Sequence, residues 1–508
     1  MKRVVKKVVS LAIVSILVMG CLAGCGASGS GGKKKGDSKT IEIAFLQQGL
    51  GIEWFEAIIK GFEAKYPEYK VQYTTTSTTA TLKATYGLED TDSYDLYFGQ
   101  KNYDTSYMEP LNDILETTID GESKTIGEKF NQAYLNLENK DGNYYMLTYG
   151  GGIIGFVYNK KIFKEAGIDE LPRTTDELIM ICDDLNDANV TPLCHFNSDG
   201  YYTYMNQVWW AQYDGLDAWT DFYKNPSKDK MLAKDGRYEV IKVHESLNNP
   251  DNVLIGSNSE AHVTMQTKFL DGQSAMMVNG SWLSSEMKNV KSVDNFAMMK
   301  TPVISAITDK LTTVKSEREL RALITAIDNV TDGKETIDTY KDGENYKVNG
   351  KSVSAADWDY VKIARNMMPA NYAGISAYIP TYSNAKEGAK EFLKYLYSDE
   401  GYKIFADTLH IEIPFSLSEG TIDTSKWNPF EQNQAELVAS AETMLCNLMM
   451  DKHNLFIDGG AEPFVNHLIA NGMCAQSQKD RHTADEAWAK ITGLIKDRYD
   501  NMWMANIQ

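Results

Sequence analysis

The sequence predicts an α/β protein built as two lobes with a ligand cleft between them. Strand-like and helix-like segments alternate from Ile41 onward, and the alternation restarts after Asn159. At 508 residues the chain is also long enough to bury more than one core. A hydrophobic content of 43% with 24% charged residues belongs to folded globular chains and argues against disorder.

The first segment is a leader. Lys2, Arg3, Lys6 and Lys7 form a positive start, and Val8 to Met19 an apolar stretch too short for a comfortable membrane span, so residues 1–24 read as a secretory signal peptide. Its end, Leu22-Ala23-Gly24-Cys25, resembles the bacterial lipobox, whose cysteine is lipidated and begins the mature chain. Cys25 is therefore the expected lipidation site; Cys21, after Val18-Met19-Gly20, matches the pattern less well. Residues 25–39, rich in Gly, Ser and Lys, cannot bury enough apolar surface to fold and are expected to act as a flexible lipidated tether. A single acyl chain holds only marginally, so stable anchoring needs more than one. The body is expected outside the cytoplasm, held to the outer face of the cell membrane.

Formal net charge is −19, and loss of the four positive groups within residues 1–24 takes the mature chain to −23. Such a field repels polyanions, so no nucleic-acid partner is expected. Beyond the lipobox, Cys182, Cys194, Cys446 and Cys474 are widely spaced and no C-x-x-C occurs, which predicts free or partly buried thiols.

The body opens with the strand Ile41–Gln47 and the Gly-bounded loop "QGLGIE". A helix from about Trp54 to Tyr66 follows, with Phe55, Ile58, Ile59 and Phe62 on one face and Pro67 as its stop. The strands "YKVQYTTT" and "YDLYFG" come next, and this order predicts a βαβ crossover. In "YGGGIIGFVYN", Gly150, Gly152 and Gly155 have the spacing of a dinucleotide-binding fingerprint. That fingerprint needs a helix directly after the glycines, and here they enter the β-branched and aromatic run Phe156-Val157-Tyr158. The helix begins later, with Asn159 as N-cap and Gly167 as its stop, so no nucleotide is expected. Next come a helix with Leu178, Ile181 and Leu185 on one face, the strand "SAMMVN", and a strong helix carrying Phe392, Tyr395 and Leu396. Between the last two, residues 303–371 hold two helical segments around a polar stretch and read as an insertion.

These segments carry a resemblance. "FEAKYPEYKVQY", "MEPLNDIL", "YYMLTYGGGIIGFVYNKKIFKEAGI", "LPRTTDEL", "FLDGQSAMMVNGSW" and "IPTYSNAKEGAKEFLKYLYSDEG", in this order behind a lipobox, resemble the family 1 extracellular solute-binding proteins. The resemblance implies a sugar-capturing lipoprotein, a monomer that serves an ATP-driven importer through membrane permease and ATPase partners. It also implies two α/β lobes joined by crossing strands, one crossing at Gly150 to Gly152. The first lobe would comprise residues 40–152 and 273–382, with the insertion at about 303–371, and the second residues 153–272 and 383–508.

A sugar offers hydroxyls and apolar C–H faces, so its site needs aromatic platforms and a few fixed polar groups. Asn279-Gly280-Ser281-Trp282 matches the family's N-G-x-W turn; Trp282 would stack on the sugar or pack between lobes, and Asn279 would bond a hydroxyl or fix the turn. Trp54 lies at the C-terminal edge of the first strand, where open α/β sheets bind ligands. Asp199 and Tyr201 are candidates by their position in the family, as is Trp209. Gln48, Tyr149 and Phe464 complete the set of expected ligand contacts. The alternatives are a glycosidase and a surface lipoprotein without a transported ligand. H-E-x-x-H and G-x-S-x-G are both missing, and "DTDSYD" at 90–95 lacks the Gly and closing Glu of a calcium loop, so no catalytic residue, metal site or cofactor is expected.

Overall fold

A computed structural model describes residues 38–47, 49–76, 94–100, 105–130, 135, 139–140, 142–197, 201–225, 227–371, 375–411, 415–418, 422–446 and 472–499. The leader, Cys25 and the tether to residue 37 lie outside these residues. No described helix is long and apolar enough to cross a membrane. In chain order the strands of the two main sheets are β1 (Thr40–Leu46), β2 (Lys70–Thr76), β3 (Leu96–Gln100), β4 (Leu147–Thr148), β5 (Ile154–Asn159), β6 (Leu193–Cys194), β7 (Met276–Gly280), β8 (Phe296–Met298) and β9 (Ile375–Tyr378). The helices that matter below are α1 (Glu53–Lys65), α2 (Lys160–Glu165), α3 (Tyr202–Asp214), α4 (Leu283–Met287), α5 (Lys386–Leu396), α6 (Asp399–Leu409) and α7 (Pro429–Ser440).

The first sheet runs β2-β1-β3-β9-β4. β1 pairs in parallel with β2 and β3, as a βαβ crossover requires, and β9 pairs antiparallel to β3 and β4. Ile41, Ile43 and Phe45 on one face of β1 and Ala44 and Leu46 on the other are all buried, as befits a central strand covered on both sides. α1 covers one face with Trp54, Phe55, Ile58 and Phe62 fully buried. α5 and α6 close over it: Phe392 meets the Phe62 ring at 5.1 Å, and Phe405 meets the Trp54 ring edge-on at 4.9 Å.

The second sheet runs β8-β5-β7-β6. β5 occupies the Gly-rich stretch, and Gly155 sits inside it against the Met298 side chain, so no helix opens on these glycines. α2 starts where expected: the Asn159 carboxamide oxygen accepts from Lys161 N and Ile162 N at 3.1 and 3.2 Å, and Gly167 follows at φ +76°. Cys182, Cys194 and Cys474 are all buried, the first two as free thiols that burial raises, Cys194 to about 12.

Sheet membership corrects the expected division of the chain. β7 pairs with β5 from Ile154 opposite Gly280 to Tyr158 opposite Met276, and β8 pairs with β5 on its other edge, so these strands belong to the second lobe. The insertion lies with them: the Gln212 amide on α3 donates to Ala364 O at 2.9 Å, and Arg365 pairs with Asp328 at 2.9 Å. Within it, helices Glu317–Thr331 and Ala355–Arg365 flank a small antiparallel meander over residues 341–353. Conversely, α5 and α6 join β9 in the first lobe, which was expected to end at 382. The chain crosses between lobes at 149–152, between 370 and 375, and again after α6 on its way to α7, which docks on β8 through Asn433 Oδ1 and Met298 N at 2.8 Å.

Candidate functional site

The two sheets meet at a cleft holding a cavity of about 240 Å³. Its first-lobe wall is backbone and small apolar surface: Gly49 and Leu50 from the loop leaving β1, and Ile375 at the start of β9. Gly151, in the crossing, forms the floor at φ +149°, a conformation that favours glycine. The second-lobe wall carries the chemistry, with Tyr201, Trp282 and Glu286, and Asn371 joins them from the second crossing.

The turn after β7 positions Trp282. Gly280 lets the indole fold back over the strand end, because a Cβ there would lie 2.4 Å from the ring. The Asn279 carboxamide oxygen accepts from Gly280 N at 2.8 Å and fixes that turn. Trp282 Nε1 donates to Tyr201 Oη at 2.9 Å, and the two rings meet at 5.5 Å and 58°, forming a joint aromatic wall. Tyr201 Oη also pairs with His262 Nε2 at 3.2 Å. Glu286 stands one turn along α4 from Trp282, its backbone N–H bonded to Trp282 O at 2.9 Å, so both side chains reach the same cavity.

Burial sets the electrostatics here. It raises the Tyr201 phenol and the Glu286 carboxyl and lowers His262; for Glu286 the Gln266 amide, donating at 2.8 Å, offsets part of the effect. The lobes touch across the cleft. A Cβ at Gly49 would lie 2.5 Å from Glu286 Oε1, and Lys288 Nζ on the second lobe pairs with Glu53 Oε1 on α1 at 2.7 Å. Gly152 N donates to Asn371 Oδ1 at 3.1 Å, tying the first crossing to the second.

Of the expected contacts, Trp282 and Tyr201 come together at the cavity. Four others do not reach it. Trp54 and Tyr149 stack on each other at 5.6 Å inside the first-lobe core, both buried. Trp209 is fully buried with Nε1 bonded to Pro302 O at 3.0 Å. Asn279 is fully buried, with its carboxamide oxygen on Gly280 N at 2.8 Å. Gln48, Asp199 and Phe464 lie outside the described residues. Glu286, Asn371, Gly49, Leu50 and Ile375 were not singled out in the sequence. Of these, Glu286 carried a signal, its four-residue spacing from Trp282.

Comparison with known proteins matches this architecture. The model of the bacterial extracellular solute-binding protein family matches residues 48–403, from the loop after β1 through both lobes into α6. An uncharacterized ABC transporter extracellular-binding protein of Pyrococcus horikoshii is 22% identical over 292 residues, 54% of this chain and 63% of that protein. Among solved structures, a chitin oligosaccharide binding protein superposes with a TM-score of 0.62 at 18% identity, covering 93% of this chain and all of its own. The solute-binding protein RafE in complex with raffinose gives 0.58 at 14% identity, covering 90% of this chain and 99% of its own. These likenesses show the two-lobe fold, and the family match, which takes in both lobes and the cleft between them, shows that the chain belongs to the bacterial extracellular solute-binding proteins.

Proposed function

We propose that this chain is a lipid-anchored receptor outside the cytoplasm that closes its lobes around an oligosaccharide and delivers it to the permease of an ATP-driven importer. The observation that carries the reading is the Trp282–Tyr201 wall facing the first-lobe loop across an interlobe cavity. Such a wall offers an apolar face for sugar C–H groups, with polar groups beside it for hydroxyls. The names of its structural neighbours, which include a chitin oligosaccharide binder and a raffinose complex, agree with that substrate class. Ligand touching both lobes stabilises the closed arrangement and shifts the population toward it. A glycosidase would need two carboxylates flanking the scissile bond. Glu286 is the single carboxylate among the described residues lining the cavity, which favours binding without hydrolysis.

Thermal unfolding of the mature protein against mono- and oligosaccharides tests this. A cognate sugar at a hundred times its Kd should add about 2.7 kcal/mol of stability and be recovered unchanged. Hydrolysis of the stabilising sugar would point to a glycosidase, and no shift with any sugar would favour a scaffold. The anchor has a separate test. Cys25→Ala should move the protein from the membrane to the soluble fraction, and a variant as membrane-bound as the parent would refute lipidation at that residue.

A further inference from the structure

We infer that Glu286 makes the cleft selective by charge, so that it takes neutral and amino sugars and turns away acidic ones such as uronic acids. This rests on the carbohydrate-receptor reading and adds to it the charge of the ligand.

Glu286 is the one ionisable carboxylate among the described residues lining the cavity, and no lysine, arginine or histidine lines it with it. Lys288, two residues along the chain, pairs with Glu53 at 2.7 Å, and Lys268, two residues from Gln266, pairs with Glu260 at 2.7 Å. His262 Nε2 stands 3.9 Å from Glu286 Oε2, and its burial favours the neutral imidazole. Burial raises the Glu286 carboxyl and the Gln266 amide offsets part of that; in its ionised form it is an acceptor with about four lone-pair positions. The Gln266 amide meets Oε2 at 2.8 Å, while Oε1 faces the Gly49 backbone across the cleft. Sugar hydroxyls and ammonium groups supply the missing donors, and such charge-assisted bonds are the stronger kind. A ligand carboxylate brings none. It would sit beside a like charge, with no lysine, arginine or histidine among the described lining residues to offset either, inside a protein whose formal net charge is −19.

The test uses the mature protein and Glu286→Gln, which keeps shape and the Gln266 contact while removing the charge. The probes are glucose, glucosamine and glucuronic acid and the same three forms of galactose and mannose, each as monomer and trimer. For the best-binding series, the parent should prefer the neutral or amino form over the uronic form by about tenfold or more, a difference of about 1.4 kcal/mol. E286Q should shrink that gap to about threefold or less, raising uronic and lowering amino affinity. A parent that binds uronic and neutral forms equally overturns the inference without any variant, as does an unchanged ratio in E286Q, and in either case the receptor reading stands. Binding of none of the sugars by the parent would overturn the receptor reading and this inference with it.

Discussion

Trp282→Ala is expected to weaken carbohydrate binding by about 2–4 kcal/mol, roughly 30- to 1,000-fold in Kd. The indole is 7% exposed and lines the cavity, so truncation removes the larger part of the aromatic wall. It also removes the donor that the Tyr201 hydroxyl accepts from, Trp282 Nε1 at 2.9 Å, and leaves that hydroxyl with His262. Two losses therefore add: the stacking face and the bond that orients its neighbour. Trp282→Phe separates them. Phenylalanine keeps a ring over Gly280 but cannot donate to Tyr201, so it should cost about 1 kcal/mol, the net worth of one hydrogen bond. Titration calorimetry below the unfolding transition reads affinity apart from stability. An alanine variant that binds within twofold of the parent would show that the wall serves interlobe packing alone.

Local pattern carried much of the fold. The βαβ start follows from the alternation in "IEIAFLQ" and the spacing of Phe55, Ile58 and Phe62, because strand and helix periods are local properties. Asn159 was legible as an N-cap for the same reason, and Phe156-Val157-Tyr158 was legible as strand. The lobe boundaries were not. Whether Met276–Gly280 joins the first sheet or the second depends on pairing with β5 more than a hundred residues upstream, which its own composition does not encode. Trp209 misled in another way. Expected as a ligand contact, it is buried together with its neighbour Trp210, because α3 is enclosed from Met205 through Gln212 and has no solvent face over that stretch. Glu286 became visible once α4 was seen to start at Trp282 and bring both side chains to one cavity.

Trp54 shares its residue type with Trp282 and has the opposite expected behaviour. It is fully buried, stacked on Tyr149 and edge-on to Phe405, Phe45 and Phe55, so it joins α1 to β1, α6 and the chain leaving β4. Trp54→Ala should therefore destabilise the protein by about 3–5 kcal/mol, the range for opening a large aromatic cavity in a core. At about 1 °C per kcal/mol for a chain of this length, Tm should fall by roughly 3–5 °C. Sugar affinity of the folded fraction should stay within about twofold, since no Trp54 atom lines the cleft cavity. Trp54→Phe sharpens the contrast. The Trp54 indole N–H is buried without a hydrogen-bond partner among the described residues, so phenylalanine removes an unmet donor while leaving a smaller void, and the loss should be about 1–2 kcal/mol. Were Trp54→Phe to keep its Tm and lose tenfold in affinity, the indole would have to reach the ligand when the lobes open. The Trp54–Tyr149 stack would then be one of two arrangements of the indole, and Trp54 would rejoin Trp282 as a platform.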